Sequence, residues 1–189
     1  MHKAIIRHAY EATIDRVARL TTYVMAHELG DSEYELTERC RRLAIDDLIL
    51  LAVSMRRLIE ATKLVAICQN AQISTAKFLV EDYRANVFRD EKTSVWETLG
   101  TIIHSRSIQI WDNEVQLVVL ERFTRDAIDD ETLRLKSKRL NPICYIKSDK
   151  KQTCIFLDEL CSRSTEILEN VRDECDKNKI YLDSMFSEI

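Results

Sequence analysis

The sequence predicts a mainly α fold, a helical bundle with a small β-hairpin excursion in its C-terminal half. Gly and Pro are scarce, with two Gly and one Pro in 189 residues, whereas average usage is about 7% and 5%. Apolar residues recur at helical spacing in the N-terminal half and again after residue 156, while β-branched residues concentrate between about residues 106 and 156. These observations favour long helices joined by few tight turns.

We expect one domain over residues 1–189. Its predicted parts are helical hairpins and a capped helix over residues 1–105, β-hairpins with a basic loop over residues 106–156, and a closing helix over residues 157–177. Residues 31–99 contain neither Gly nor Pro. This excludes a β-sandwich there, and also a nucleotide-binding unit with a Gly-rich phosphate loop.

Composition and charge restrict the class of protein. Lys and Arg number 28 against 32 Asp and Glu, which gives a net charge of -4. The longest apolar run, residues 48–53, is far shorter than the roughly 20 residues that cross a bilayer, and the charged N-terminus lacks a leader-type apolar stretch. Six cysteines without a C-x-x-C spacing are typical of reduced thiols. We therefore expect a cytoplasmic protein that does not enter a membrane.

The first two predicted helices form an antiparallel hairpin. Apolar residues that step by three and four predict the first helix over about residues 3–28, and Gly30 ends it. Ser32 and Glu35 then have the S-x-x-E spacing, in which the hydroxyl and the carboxylate satisfy free backbone N–H groups at a helix start. A second helix is predicted to begin there.

The second predicted helix is long and carries charged pairs. Its periodic positions end within residues 69–74, and we expect a break near Asp46. Arg56 and Glu60 have the i, i+4 spacing of a surface ion pair on a helix. A third, weaker periodic pattern predicts another helix over about residues 74–88.

The clearest helix start in the sequence is Ser94 with Glu97. The two residues repeat the S-x-x-E spacing. Trp96, Leu99 and Ile103 follow on one face at helical spacing. The pattern predicts a short, well-capped helix.

Two pairs of short strands are predicted after this helix. Residues 107–111 and 115–120 are rich in β-branched side chains and flank a polar turn. Residues 143–146 and 153–156 form a second such pair. The strongly amphipathic segment 157–177 predicts a last helix that closes the bundle over the first hairpin.

The cysteines fit core packing better than catalysis. Cys154, Cys161 and Cys175 differ by multiples of seven, which places them on one stripe of a helix together with Leu168. A free cysteine packs as a small hydrophobe. We expect this stripe to be buried.

Metal and cofactor motifs are missing from the sequence. The four histidines form no H-x-x-x-H or E-x-x-H set. Gly30 and Gly100 are too far apart for a G-x-x-x-x-G-K-[ST] phosphate loop. No G-x-S-x-G nucleophile elbow occurs either. The prediction is a protein without metal or cofactor.

His104 and Arg106 are the candidate catalytic residues. Gly100 lies one helical turn before His104, and a Gly inside a helix suggests that another backbone or a ligand comes close. An imidazole that titrates near neutrality can move the proton of an RNA 2'-hydroxyl, and a guanidinium can stabilise the charge on phosphorus. The alternative is a partly buried His104 that is hydrogen-bonded at a helix end.

A basic segment over residues 136–151 is the candidate nucleic-acid surface. Six cations stand there against the single carboxylate Asp149, in a chain that is acidic overall. An aromatic ring among cations can stack on a base while the cations follow the phosphates. Solvated loop charges are the alternative. The candidate binding residues are Lys136, Lys138, Arg139, Tyr145, Lys147, Lys150 and Lys151.

Residues 44–62 (AIDDLILLAVSMRRLIEAT) within a helical hairpin, followed by residues 96–106 (WETLGTIIHSR), resemble the HEPN-like helical domains of prokaryotes. The likeness covers about half the chain. It implies a dimeric helical protein and a metal-independent ribonuclease of toxin-antitoxin or phage-defence systems. The family motif, an arginine separated by four to six residues from a following histidine, is absent from this sequence. The resemblance therefore implies either a rearranged site with Arg106 after His104, or an inactive relative.

Two functions remain open from the sequence. The first is an RNA-directed cytoplasmic protein, either a metal-independent endoribonuclease or an inactive relative, that assembles as a homo-oligomer. The second is a non-enzymatic helical interaction or regulatory module that acts through a protein partner. The first predicts RNA cleavage without metal, and the second predicts a stable complex without turnover.

Overall fold

The computed structural model describes residues 3–26, 34–81, 84–111, 142–149 and 152–182. More of these residues lie in helices than in strands. In chain order the elements are α1 (Lys3–Ala26), α2 (Tyr34–Thr62), α3 (Val65–Asn70), β1 (Gln72–Glu81), β2 (Arg84–Ser94), α4 (Val95–Ile103), β3 (Ser105–Trp111), β4 (Ile143–Ser148), β5 (Gln152–Phe156) and α5 (Leu157–Lys177).

The β-sheet is larger than the predicted excursion. Within the described residues it has five strands in the order β2-β1-β5-β4-β3, and each neighbouring pair is antiparallel. The fold is therefore only roughly mainly α, because the sheet is a sizeable layer of the structure. It lies against the helices and is not a separate hairpin.

The helix predicted over residues 74–88 is wrong. Residues 74–81 belong to β1 and residues 84–88 to β2, and the two strands pair antiparallel from Gln72 opposite Ser94 to Glu81 opposite Arg84. The two strands are consecutive in the chain, so they satisfy each other's backbone groups without a long crossover. Thr75 of β1 also pairs with Ile155 of β5. This pairing with a distant strand outweighs the weak helical pattern.

The helical hairpin is confirmed, and the predicted break in its second helix is wrong. α1 and α2 pack against each other, and α2 runs without interruption past Asp46, whose side chain is exposed. The neighbouring Asp47 carboxylate accepts a hydrogen bond from Arg16 of α1 at 2.5 Å. Neither carboxylate breaks the helix, because Asp46 faces solvent and Asp47 is paired with Arg16. The predicted cap residues Gly30 and Ser32 lie outside the described residues.

The capped helix α4 is confirmed. The Ser94 hydroxyl accepts a hydrogen bond from the Glu97 backbone N–H at 3.2 Å. The Glu97 carboxylate accepts a hydrogen bond from the Thr93 hydroxyl at 3.2 Å. Half of the predicted reciprocal cap is therefore present, and the carboxylate ties the helix start to β2.

The predicted pairing of residues 143–146 with 153–156 is confirmed as the antiparallel pair β4 and β5. The predicted strand 107–111 lies within β3. β3 pairs with β4, from Ser105 opposite Ser148 to Trp111 opposite Ile143. Its predicted partner, residues 115–120, lies outside the described residues.

The main core lies between the helices and one face of the sheet. Along β4, Cys144 and Ile146 belong to this core, whereas Ile143 and Tyr145 belong to a smaller cluster. Because successive side chains of a strand point to opposite faces, the smaller cluster lies on the other face of the sheet. No helix in the described ranges has both the length and the apolar character needed to cross a membrane.

The closing helix α5 packs on α1, as predicted. Cys161 and Cys175 are buried on its inner side. Cys154 precedes this helix and lies on β5, where it packs with Ile143 and Phe156 in the smaller cluster. The burial of the three thiols is confirmed, but the single helical stripe is wrong because Cys154 is on a strand.

Candidate functional site

The start of β3 and the end of β4 bring two separate sequence features together. Ser105 lies opposite Ser148, and Ser107 lies opposite Lys147. Two steps along β3 thus match one step along β4, so Arg106 is the extra residue of a β-bulge. We call His104, Arg106, Lys147 and Asp149 the sheet-end cluster.

His104 is the C-cap of α4. Its backbone N–H donates to the Gly100 carbonyl at 3.1 Å, which fixes the residue as the helix C-cap. The side chain is exposed. Within the described part of the chain, no group is hydrogen-bonded to the ring. The exposure of the ring differs from the partly buried histidine of the alternative prediction, and no described group occupies its nitrogens.

Arg106 forms an ion pair with Asp149 across the bulge. The two side chains are 73% and 60% exposed. A solvated ion pair of this kind is worth at most about 1 kcal/mol, so a phosphate can replace the carboxylate at low cost. The bulge aims Arg106 at the segment that follows β4.

The basic segment is only partly within the described residues. Lys147 is exposed, and Tyr145, two residues earlier, is half-buried against Ile143, Cys154 and Phe156. The ring of Tyr145 therefore has a structural role in the smaller cluster. Lys136, Lys138, Arg139, Lys150 and Lys151 lie outside the described residues.

A cleft runs between α2 and the edge strand β3. It has a volume of about 340 Å³, and Ile45, Ile108 and Ile110 provide its apolar wall. Arg41, Arg42 and Glu38 of α2 also line it, and both arginines pair with Glu38, at 3.4 and 3.2 Å. The cleft shares β3 with the sheet-end cluster, and two guanidinium groups and one carboxylate lie on its α2 side.

Arg56 was predicted to form a surface ion pair with Glu60. The pair with Glu60 is present, with 3.8 Å between Arg56 Nε and Glu60 Oε1. In addition, the guanidinium lies over the Trp96 ring, 4.0 Å from its centroid. Its Nη1 is 3.0 Å from the position that a Cβ at Gly100 would occupy. The group that approaches Gly100 is therefore the Arg56 side chain.

The position of Arg56 places a second guanidinium near His104. Side chains four residues apart on a helix have Cβ atoms about 5–6 Å apart, and Gly100 precedes His104 by one turn. Nη1 of Arg56 consequently lies within roughly 9 Å of the His104 Cβ. The only sequence signal was Gly100 itself, because the spacing within α4 does not reveal which residue of α2 comes close.

The buried thiols are unsuited to nucleophilic catalysis. Burial raises the pKa of Cys154 and of Cys161 to about 11. Burial also raises the pKa of Cys68 to about 12, although the Arg56 charge opposes the rise. The pKa of Cys144 is raised further by burial and by the neighbouring Cys154. At neutral pH these groups are protonated, and the thiolate is the reactive form.

No group of three or more His, Cys, Asp or Glu side chains among the described residues is arranged to hold a metal ion. An exposed imidazole such as that of His104 can transfer protons, and the cationic side chains of Arg106 and Lys147 can bind an anion.

Comparison with protein-family models, curated proteins and solved structures found no match to this chain.

Proposed function

We propose that the protein acts on RNA in the cytoplasm, as a HEPN-like metal-independent endoribonuclease whose site is the sheet-end cluster. The observation that supports this most is the ion pair of Arg106 with Asp149. It joins the candidate catalytic pair to the basic segment, although the two features are far apart in the sequence. The free thiols of all six cysteines fit a reducing compartment.

The proposed reaction is an internal transesterification of RNA. His104 takes the proton of a 2'-hydroxyl, and the oxygen attacks the adjacent phosphorus. The bond between phosphorus and O2' forms, the bond to O5' breaks, and the leaving oxygen takes a proton from water. Arg106, released from Asp149, and Lys147 bind the phosphate oxygens as negative charge develops. The products are a 2',3'-cyclic phosphate and a 5'-hydroxyl.

The first test is incubation of the purified protein with total RNA in excess EDTA. The wild type is expected to cleave, and His104→Ala is expected to lose at least about a hundredfold in rate, the usual contribution of a general base. His8→Ala is the matched control, because His8 is an exposed histidine on α1. Equal rates for wild type and His104→Ala would remove the proposed site.

The ion pair allows a second test, in which two substitutions are expected to change RNA affinity in opposite directions. Asp149→Asn removes the carboxylate that competes for Arg106, so RNA binding is expected to tighten. Arg106→Ala is expected to weaken RNA binding and to lower the slope of log affinity against log salt by about one. If both variants bind RNA like the wild type, Arg106 does not contact phosphate.

A non-enzymatic interaction module is the second candidate, and the outer face of α2 favours it. Leu43, Ile49, Leu50 and Val53 on this one helix are large apolar side chains that are at least 38% exposed. Four such side chains on one helix indicate a surface that binds protein. A protein that cleaves no RNA in EDTA but forms a stable complex with a different protein through this face would support the module.

A further inference from the structure

The outer face of α2 carries a heptad pattern in addition to its core face. Leu43, Asp46, Leu50, Val53 and Arg57 step by three and four residues, the a and d spacing of a two-helix seam. We call these five residues the α2 outer stripe. All five are exposed. The core side chains of the same helix, such as Leu48, Leu51 and Met55, are fully buried on the opposite face.

The two charged members of the stripe have no ion-pair partner among the described residues. Asp46 and Arg57 both lie amid the apolar side chains, yet the ion pairs of α2 involve other residues. Their neighbours Asp47 and Arg56 are paired within the chain, to Arg16 and to Glu60. An acid and a base on one apolar stripe, both without a partner in the described part of the chain, are complementary to a stripe with the opposite order of charges.

We propose that the α2 outer stripe binds the same stripe of a second copy of this chain, with the two helices antiparallel. In this register Leu50 packs against Val53 of the second copy. Asp46 then lies opposite Arg57, and the two-fold axis repeats both contacts. In this register the seam between the two stripes runs from Asp46 to Arg57 and is roughly 16 Å long, at 1.5 Å per residue.

The charges decide the orientation and the partner. A parallel pairing in register would place Asp46 beside Asp46 and Arg57 beside Arg57, and like charges in a seam are unfavourable. The antiparallel pairing converts both into oppositely charged pairs. A second copy supplies the matching apolar layer and the matching charges at once.

The α2 outer stripe is separate from the sheet-end cluster. The stripe uses no residue of that cluster, so loss of the dimer and loss of RNA cleavage are separate results. The dimer is measured by mass, and cleavage is measured on RNA in EDTA.

Sedimentation equilibrium and light scattering on the purified full chain test the proposal. The wild type is expected at twice the chain mass of 22.1 kDa. Asp46→Arg alone and Arg57→Asp alone each place like charges opposite one another, and each should raise the dissociation constant about tenfold or more. The double variant Asp46→Arg with Arg57→Asp exchanges the charges and should restore the dimer.

A matched control separates the contact from net charge. Glu169→Arg makes the same change of charge on the exposed side of α5 and should leave the dimer intact. Circular dichroism confirms that each variant is folded. A monomeric wild type, single variants that still dimerise like the wild type, or a double variant no better than the singles would each overturn the proposal.

Discussion

Gly100→Ala is expected to have opposite consequences in two backgrounds, because Arg56 occupies the space beside this glycine. In the wild type, the new methyl group would meet Nη1 of Arg56 at 3.0 Å. The guanidinium would have to move away from the Trp96 ring, over which it lies at 4.0 Å. In an Arg56→Ala background the same space is empty, and the methyl group meets no obstacle.

The magnitudes follow from two opposing effects. Alanine is better than glycine inside a helix by about 1 kcal/mol, and position 100 is within α4. A cation over a tryptophan ring is worth about 0.5–1 kcal/mol when exposed and about 2 when desolvated, and the Arg56 side chain is 24% exposed. In the wild type, the gain and the loss should roughly cancel. In the Arg56→Ala background, Gly100→Ala should stabilise the protein by about 1 kcal/mol.

Equilibrium unfolding in guanidinium chloride, followed by far-UV circular dichroism, measures both changes. The four proteins of the cycle are the wild type, each single variant and the double variant. The coupling free energy between positions 56 and 100 should be about 1 kcal/mol. An effect of Gly100→Ala that is the same in both backgrounds would refute the contact between Arg56 and Gly100.

Three further predictions concern the thiols and the cap of α4. Burial raises the pKa of Cys154 and Cys161 from 9.0 to about 11, so their contribution to stability is complete below pH 9 and is lost as pH rises toward 11. Each should cost about 1 kcal/mol at pH 10, which unfolding at pH 8 and pH 10 will measure, and an unchanged stability would contradict their burial. A bulky thiol reagent should label only Cys40 quickly in the native protein, because Cys40 is exposed and the other five cysteines are buried. Rapid labelling of a second thiol before unfolding would count against this core. Ser94→Ala should destabilise the protein by about 1 kcal/mol in urea unfolding, and Ser94→Gly should cost less; equal costs would show that the hydroxyl is not the cap.

Local signals were enough to predict α1, α4 and α5. Helical spacing of apolar residues and the S-x-x-E start at Ser94 act within one element, and they do not depend on what the element packs against. The strand pair at residues 143–146 and 153–156 was predictable for the same reason, because a short connection joins neighbouring strands. Asp46 misled the prediction for α2, since a charged residue in a helical pattern can simply face solvent.

A local sequence pattern could not predict which segments that are distant in the sequence come into contact. Residues 74–88 carry a weak helical period, yet pairing with β5 through Thr75 joins them to a sheet whose other strands lie far along the chain. The burial of Cys154 could be predicted, but its position on β5 apart from the helical cysteines could not. Strand formation depends on tertiary neighbours more than helix formation does.

The sequence by itself determined that the chain forms long helices, that Ser94 caps α4 and which residue types could bind a phosphate. Only the tertiary structure decided that Arg56 covers Gly100 and that Asp149 pairs with Arg106. It also decided that one face of α2 stays exposed. The physical reason is the distance along the chain over which each kind of interaction acts. Helical spacing and capping act over a few residues, whereas an ion pair or a buried face depends on which distant segments the fold brings within contact distance.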